Sequence, residues 1–143
     1  MQAKFDGKSV SIMNLTPHSV VVLRDDAKGD IVGNTGFGSA AKEGKFTLVA
    51  EYKPTGKVAR AAQKDELQGN LEIEGHKVPL IKTAFGQPTD LPDLEEGTMY
   101  IVSILTAQAA KAAGRKGDDL IITSDPVRDA AGKIIGCRKF AVA

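Results

Sequence analysis

Cysteine is almost missing from this chain: Cys137 is the only one in 143 residues. A lone thiol excludes an intrachain disulfide, and with it the stapled scaffold of small secreted domains, so a reducing compartment is expected. Charge of one sign is missing as well, with 19 basic residues against 18 acidic. Phosphate neutralisation supplies most of a nucleic-acid binder's affinity, so this balance predicts no nucleic-acid partner. No stretch approaches the roughly 18–20 apolar residues needed to cross a bilayer, which predicts no membrane partner. Residues Met1 to Gly7 hold no apolar run and no cleavage site, so no signal peptide is expected there, and elimination points to the cytoplasm. Ligands for a metal are scarce too. His18, His76 and Cys137 share no ligand spacing, so neither a metal nor a cofactor is expected, and the neighbouring Asp118 and Asp119 read better as the end of a loop.

What remains is the composition of one globular domain spanning 1–143, with 42% apolar and 26% charged residues. A chain of this length buries roughly two-thirds of its unfolded surface, enough for one core. Ser9 to Leu23 is rich in β-branched residues and interrupted by Pro17, which predicts two short strands with a bend at Thr16-Pro17-His18. The polar stretch from Arg24 to Asp30 followed by Ile31-Val32 predicts a hairpin, and Gly33 to Gly44 a glycine-rich, mobile loop. Phe46 to Tyr52 reads as a strand, with Lys57 to Gln63 as its partner after the turn at Pro54-Thr55-Gly56. Leu71 and Ile73 alternate with Glu72 and Glu74 before Gly75, which predicts a second hairpin returning through Leu80 to Phe85. Gly86 to Gly97 then reads as an exposed loop.

Thr98 to Val102 reads as a buried strand. Ser103 is placed to cap a helix over Ile104 to Ala113, stopped by Gly114. A strand over Asp119 to Thr123 is expected to break at Asp125-Pro126, and a last strand covers Ile134 to Val142. Together these predict an α+β, mostly-β fold: one mixed sheet, flat or curled into a barrel-like form, with one alanine-rich helix packed on it.

The motifs divide into those that fail and those that leave a choice. Gly38 to Phe46 is no phosphate loop, because five residues separate its glycines and Phe46 stands where a Ser or Thr must hold magnesium. Gly33, Gly36 and Gly38 make no dinucleotide fingerprint, since no suitable helix follows. Cys137 lies in an apolar strand, where free cysteines are usually small buried hydrophobes, and its use as a nucleophile with His18 is the minor reading. Asn14, Thr16 and His18 sit at a strand break, which either aims them at a site or uses them as a local Asx turn. Arg60, Arg115 and Arg128 lie beside apolar segments, so each guanidinium needs a partner, a carboxylate such as Asp119 or Asp129 or else a ligand phosphate.

The order Asn14-Leu15-Thr16-Pro17-His18, Val58-Ala59-Arg60, Gly97 to Ser103, Val127-Arg128-Asp129 and Ile135-Gly136-Cys137 resembles a family of small proteins found in bacteriophages, prophages and actinobacteria. The likeness spans nearly the whole chain outside Ile31 to Lys45, and it implies a context rather than a set of functional residues. Small non-virion phage proteins of this size often counter host defence, some by sequestering nucleotide messengers as homo-oligomers, which for a phage-encoded chain means the host cytoplasm. On that implication the expected activity is capture of a small anionic nucleotide, with no catalytic residues. Asn14, Thr16, His18, Ser103, Arg60, Arg115 and Arg128 would hold phosphate and ribose, and Phe85 or Tyr100 would stack a base. Two alternatives stand beside it: an enzyme cleaving such a nucleotide with His18 as general acid or base, and a non-enzymatic virion or protein-interaction domain.

Overall fold

The computed structural model describes residues 3–24, 47–128 and 133–143. Its strands are β1 (Ala3–Phe5), β2 (Lys8–Asn14), β3 (Val20–Arg24), β4 (Thr47–Tyr52), β5 (Arg60–Ile73), β6 (His76–Thr89), β7 (Thr98–Ile101), β8 (Leu120–Arg128) and β9 (Ile134–Val142); the helix α1 is Ile104–Ala112. A seven-stranded mixed sheet runs in the order β1-β2-β7-β8-β9-β3-β4. At one end its two sides meet: Asn14 bridges Pro54, and Thr55 N donates to Asn14 O at 3.2 Å. The sheet is thus curled into a half-barrel, and the mostly-β α+β expectation holds.

Period-two alternation sorts the side chains of this sheet onto two faces. Tyr100 and Leu120 point to the helix side and pack with Leu15, Ala59, Val102, Ala107 and Ala110. Ile101 and Ile121 point the other way and pack with Val20 and Cys137. The small alanines let α1 lie close to the sheet. Ser103 caps it as expected, its Oγ accepting from Thr106 N at 3.2 Å, and Gly114 at φ 101 stops it. The two strands joined by α1 pair in parallel, Tyr100 opposite Leu120. A register shift in β9 skips Ile135, so Ile135 and Cys137 serve different clusters. Gly136 sits where β9 passes closest to β3: a Cβ there would lie 2.8 Å from Leu23 Cδ1 and 3.0 Å from Val21 O.

The bend at 16–18 and the last strand match their expectations. Three others do not. Lys57 to Gln63 is not the partner of β4, which pairs with β3; β5 starts at Arg60 and pairs with β6. The hairpin around Gly75 is far longer than expected: β5 begins at Arg60, and β6 runs on through Thr89, taking in the first four residues of the segment read as a loop, Gly86 to Gly97. Asp125-Pro126 does not end β8, because Asp125 takes φ 54 and the ladder resumes with Pro126 opposite Cys137. The expected strand Ile31-Val32, the Gly33–Gly44 loop and most of the turn before β9 lie outside the described residues.

β5 and β6 form a separate two-stranded sheet. The turn at Glu74 (φ 47) and Gly75 (φ 80) has both central residues at positive φ, the geometry that suits the twist of a hairpin. Fourteen residues per strand at roughly 3.4 Å each make an arm on the order of 45 Å long. Beyond its own strands, its main contacts are with α1.

Candidate functional site

Two features stand out, a cleft in the half-barrel and the arm. The cleft opens across β7, β8, β9 and β3 and has a volume of about 1020 Å³. Val20, Ile101, Ile122, Ile134, Ile135 and Cys137 give it an apolar lining. Thr16, His18, Ser19 and Ser103 add polar groups from the bend and the cap of α1, and Lys133 adds a cation, with no carboxylate among the described lining residues. A smaller depression of about 350 Å³ lies between the bend, the base of the arm and the start of α1, lined by Thr16, Arg60, Phe85 and Ser103 among others.

Asn14 organises the bend. It is 1% exposed, and its Nδ2 donates to His18 O at 2.7 Å and to Tyr52 O at 2.8 Å. Its Oδ1 accepts from Thr16 N at 2.9 Å and Thr16 Oγ1 at 2.6 Å. Every polar atom of the side chain is therefore used internally. The Asx-turn reading is the one the geometry takes, and Asn14 is not a ligand group. One hop along, Thr106 Oγ1 donates to Ala59 O at 3.1 Å, tying α1 to the residue before the arm.

The remaining expected residues fall into three groups. Thr16, His18 and Ser103 line the cleft, and Thr16 and Ser103 line the smaller depression as well, where Arg60 and Phe85 join them. Tyr100 is a core residue at 1% exposure, so it offers no face for stacking; burial pushes its phenol pKa up, with Glu95 adding to the rise. Arg115 is engaged by Asp119, Nη2 to Oδ2 at 2.6 Å, and donates from Nη1 to Pro92 O at 2.7 Å. Arg128 stands at the far end of β8 and lines neither hollow. The three arginines do not gather round one hollow, because each is fixed to a different element and Arg115 already has its carboxylate.

Cys137 and His18 do line the same cleft. Burial pushes the Cys137 thiol above its ordinary value, with hydrogen bonds to the backbone of Ser124 and Lys139 acting against the rise. A nucleophilic cysteine needs a depressed pKa, so this shift runs the wrong way for catalysis.

The sequence pointed to the outer hairpin and to Phe85 on it, but not to the arm's length or to its apolar display. Leu67, Leu71, Ile73, Val78, Leu80, Ile81 and Phe85 are all exposed on it. The register places Leu71 opposite Val78 and Ile73 opposite His76, with Gly69 opposite Leu80. Leu71, Ile73, Val78 and Leu80 thus share one face of the outer arm. A shift between Leu67 and Gly69 reverses the alternation of β5, so Leu67, Ile81 and Phe85 share the opposite face nearer the base. The edges are different in character: register shifts interrupt β5 at two places, and β6 carries Pro79 and Pro88. Bulges, prolines and lysines on an edge discourage strand-to-strand pairing, so the arm is suited to contact through its faces.

No family model, no curated protein and no solved structure matches the chain.

Proposed function

We propose that this chain is a non-enzymatic structural protein that works by self-assembly, with the β5–β6 arm as its docking element. The observation that carries the reading is the arm itself. A two-stranded hairpin is marginal in water, and three or more strands or a packed face are needed for independent stability. Here exposed Leu71, Ile73, Val78 and Leu80 line one face of the outer arm, and Leu67, Ile81 and Phe85 line the opposite face nearer the base. Contiguous apolar surface of this kind marks protein contact sites. The raised Cys137 thiol speaks against its use as a nucleophile, and the engaged Arg115 against the three-arginine anion site.

Sedimentation velocity over a concentration series tests it, comparing the natural chain with a Leu71→Thr, Val78→Thr, Leu80→Thr variant. The natural chain is expected to sediment as an assembly. The variant is expected to sediment near 15.1 kDa with its body still folding cooperatively. A natural chain that stays monomeric across the series overturns the reading.

A second reading, capture of a small anionic nucleotide, draws on the meeting of Thr16, Arg60, Phe85 and Ser103 around the smaller depression. Here a guanidinium and an aromatic ring stand beside the first turn of α1, whose free N–H groups favour anions. Thermal-shift measurement against a nucleotide panel decides it. A ligand of the native state must raise the melting temperature, and Arg60→Ala must cancel the rise.

A further inference from the structure

The arm leaves the body and returns to it through two connections, and a side chain from each end of α1 holds one of them. Ala59 precedes the outgoing strand, and its carbonyl accepts from Thr106 Oγ1 at 3.1 Å. Pro92 lies just after the return strand, and its carbonyl accepts from Arg115 Nη1 at 2.7 Å. We propose that α1 is the mount that fixes the direction of the arm, with Thr106 and Arg115 as its two positioning residues. The consequence for assembly rests on the self-assembly reading: a docking face repeats the same contact from copy to copy only if it points the same way in each.

Thr106 sits in the first turn of α1 at 1% exposure. Its hydroxyl accepts from Ser103 Oγ at 2.9 Å, which leaves its single proton for Ala59 O. Ser103 Oγ in turn accepts from Thr106 N at 3.2 Å. The cap of α1 therefore orients the hydroxyl, and the hydroxyl holds the outgoing foot. From the other side, Ala59 N donates to Leu15 O at 3.0 Å and Leu15 N to Ile101 O at 2.9 Å, so the same foot is tied back into β7.

Arg115, just past the other end of α1, holds the return foot by geometry. Two nitrogens of its planar guanidinium lie on Asp119, Nη2 to Oδ2 at 2.6 Å and Nε to Oδ1 at 3.4 Å. That fork fixes the plane, and with it the direction of Nη1 toward Pro92 O. Proline has no N–H, so its carbonyl is the one backbone polar group available to be held there. Leu91, next to it, packs against the core cluster that contains Ala107 and Ala110 of α1. Among the described elements, the strands of the arm also pack mainly on α1. Both feet and the base of the arm are thus fixed to one helix.

A distance measurement between two spin labels tests the mount. The labels go on His76→Cys at the tip and Ser11→Cys on β2, both exposed positions, while Cys137 is buried and escapes labelling. The sample is diluted until sedimentation gives the monomer, so each distance is internal to one chain. The labelled chain with no further change is expected to give one narrow distribution. Thr106→Val keeps the shape and loses the hydroxyl; Arg115→Lys keeps the charge and loses the fork. Each is expected to broaden the distribution, and Thr106→Ser to keep it narrow. In unlabelled protein the first two are expected to weaken assembly several-fold while unfolding stays cooperative. Should Thr106→Val fail to fold, Arg115→Lys decides. Widths unchanged in the variants overturn the mount, and broadened widths with undiminished assembly overturn its part in docking. If the natural chain is monomeric at every concentration, the self-assembly reading falls and the mount is judged by the distances alone.

Discussion

Leu120 on β8 and Leu71 on β5 are both leucines in hydrogen-bonded strands, yet Leu120 is fully buried and Leu71 is 48% exposed. The half-barrel body couples each ladder to a packed face: one side of the sheet is sealed by α1, and the other gathers Val20, Ile101, Ile121 and Cys137. The arm has the ladder without the packing. The difference shows how little strand pairing demands of its surroundings. Cross-strand contacts and a favourable turn shape a hairpin, but burial decides which part of the molecule stands by itself and which waits for a partner.

The largest effects should come from the body. Leu120→Ala is expected to lower unfolding free energy by about 2–5 kcal/mol through cavity formation, whereas Leu71→Ala should change the monomer by less than about 0.5 kcal/mol and act on assembly alone. Urea titration at low protein concentration separates the two, and equal losses would erase the distinction between body and arm. Next comes the bend. Asn14→Ala removes the acceptor of Thr16 N and Thr16 Oγ1 and the side-chain donor to Tyr52 O, while His18 O keeps Thr16 Oγ1, and should cost about 1–3 kcal/mol; in hydrogen exchange the loss should appear in β2, β3 and β4, not in the arm.

Alkaline pH discriminates the same way. The folded-state pKa values of Cys137 and Tyr100 are raised by burial above 9.0 and 10.0 respectively. Their contribution is complete below those ordinary values and is lost as pH rises above them towards the folded-state values, because the unfolded chain ionises first. A fall in body stability should therefore begin above about pH 9, and at neutral pH Cys137 should react slowly with alkylating reagents. Ser103→Ala removes the cap of α1 and should cost about 1 kcal/mol, with Ser103→Asp restoring most of it. The smallest change sharpens the arm: Glu74→Asn suits a turn with two positive φ values and should stabilise the hairpin by a few tenths of a kcal/mol, seen as slower exchange at its tip.

The body was legible in the sequence where the signals were local. Pro17 marked the bend, Ser103 and Gly114 bracketed α1, and the apolar runs at Thr98 and Ile134 gave β7 and β9. Failures arose where the decisive partner was distant. Lys57 to Gln63 looked like a neighbour of β4 because it follows it closely in the chain, but β4 pairs with β3 and leaves that segment to the arm. The arm's length was hidden because the register shifts near Ala62 and Gln68 break the alternation by which a strand is recognised. Asp125-Pro126 read as a break because a positive-φ aspartate inside a continuing strand leaves no mark in composition. At the candidate site, residue type alone suggested a shared task for three arginines. That Arg115 is held by a carboxylate is settled by the turn after α1, where Asp119 comes four residues after Arg115 and faces it.

Gly136 sets a tolerance at the cleft. It lies against Leu23 and Val21 of the adjoining strand, with room for a hydrogen and for little else. The same residue lines the cleft, so the spacing between β3 and β9, and with it the gauge of the opening, is governed by an atom that is not there. A methyl group at this position would act as a shim, pressing on Leu23 and Val21 and altering what fits between the two strands.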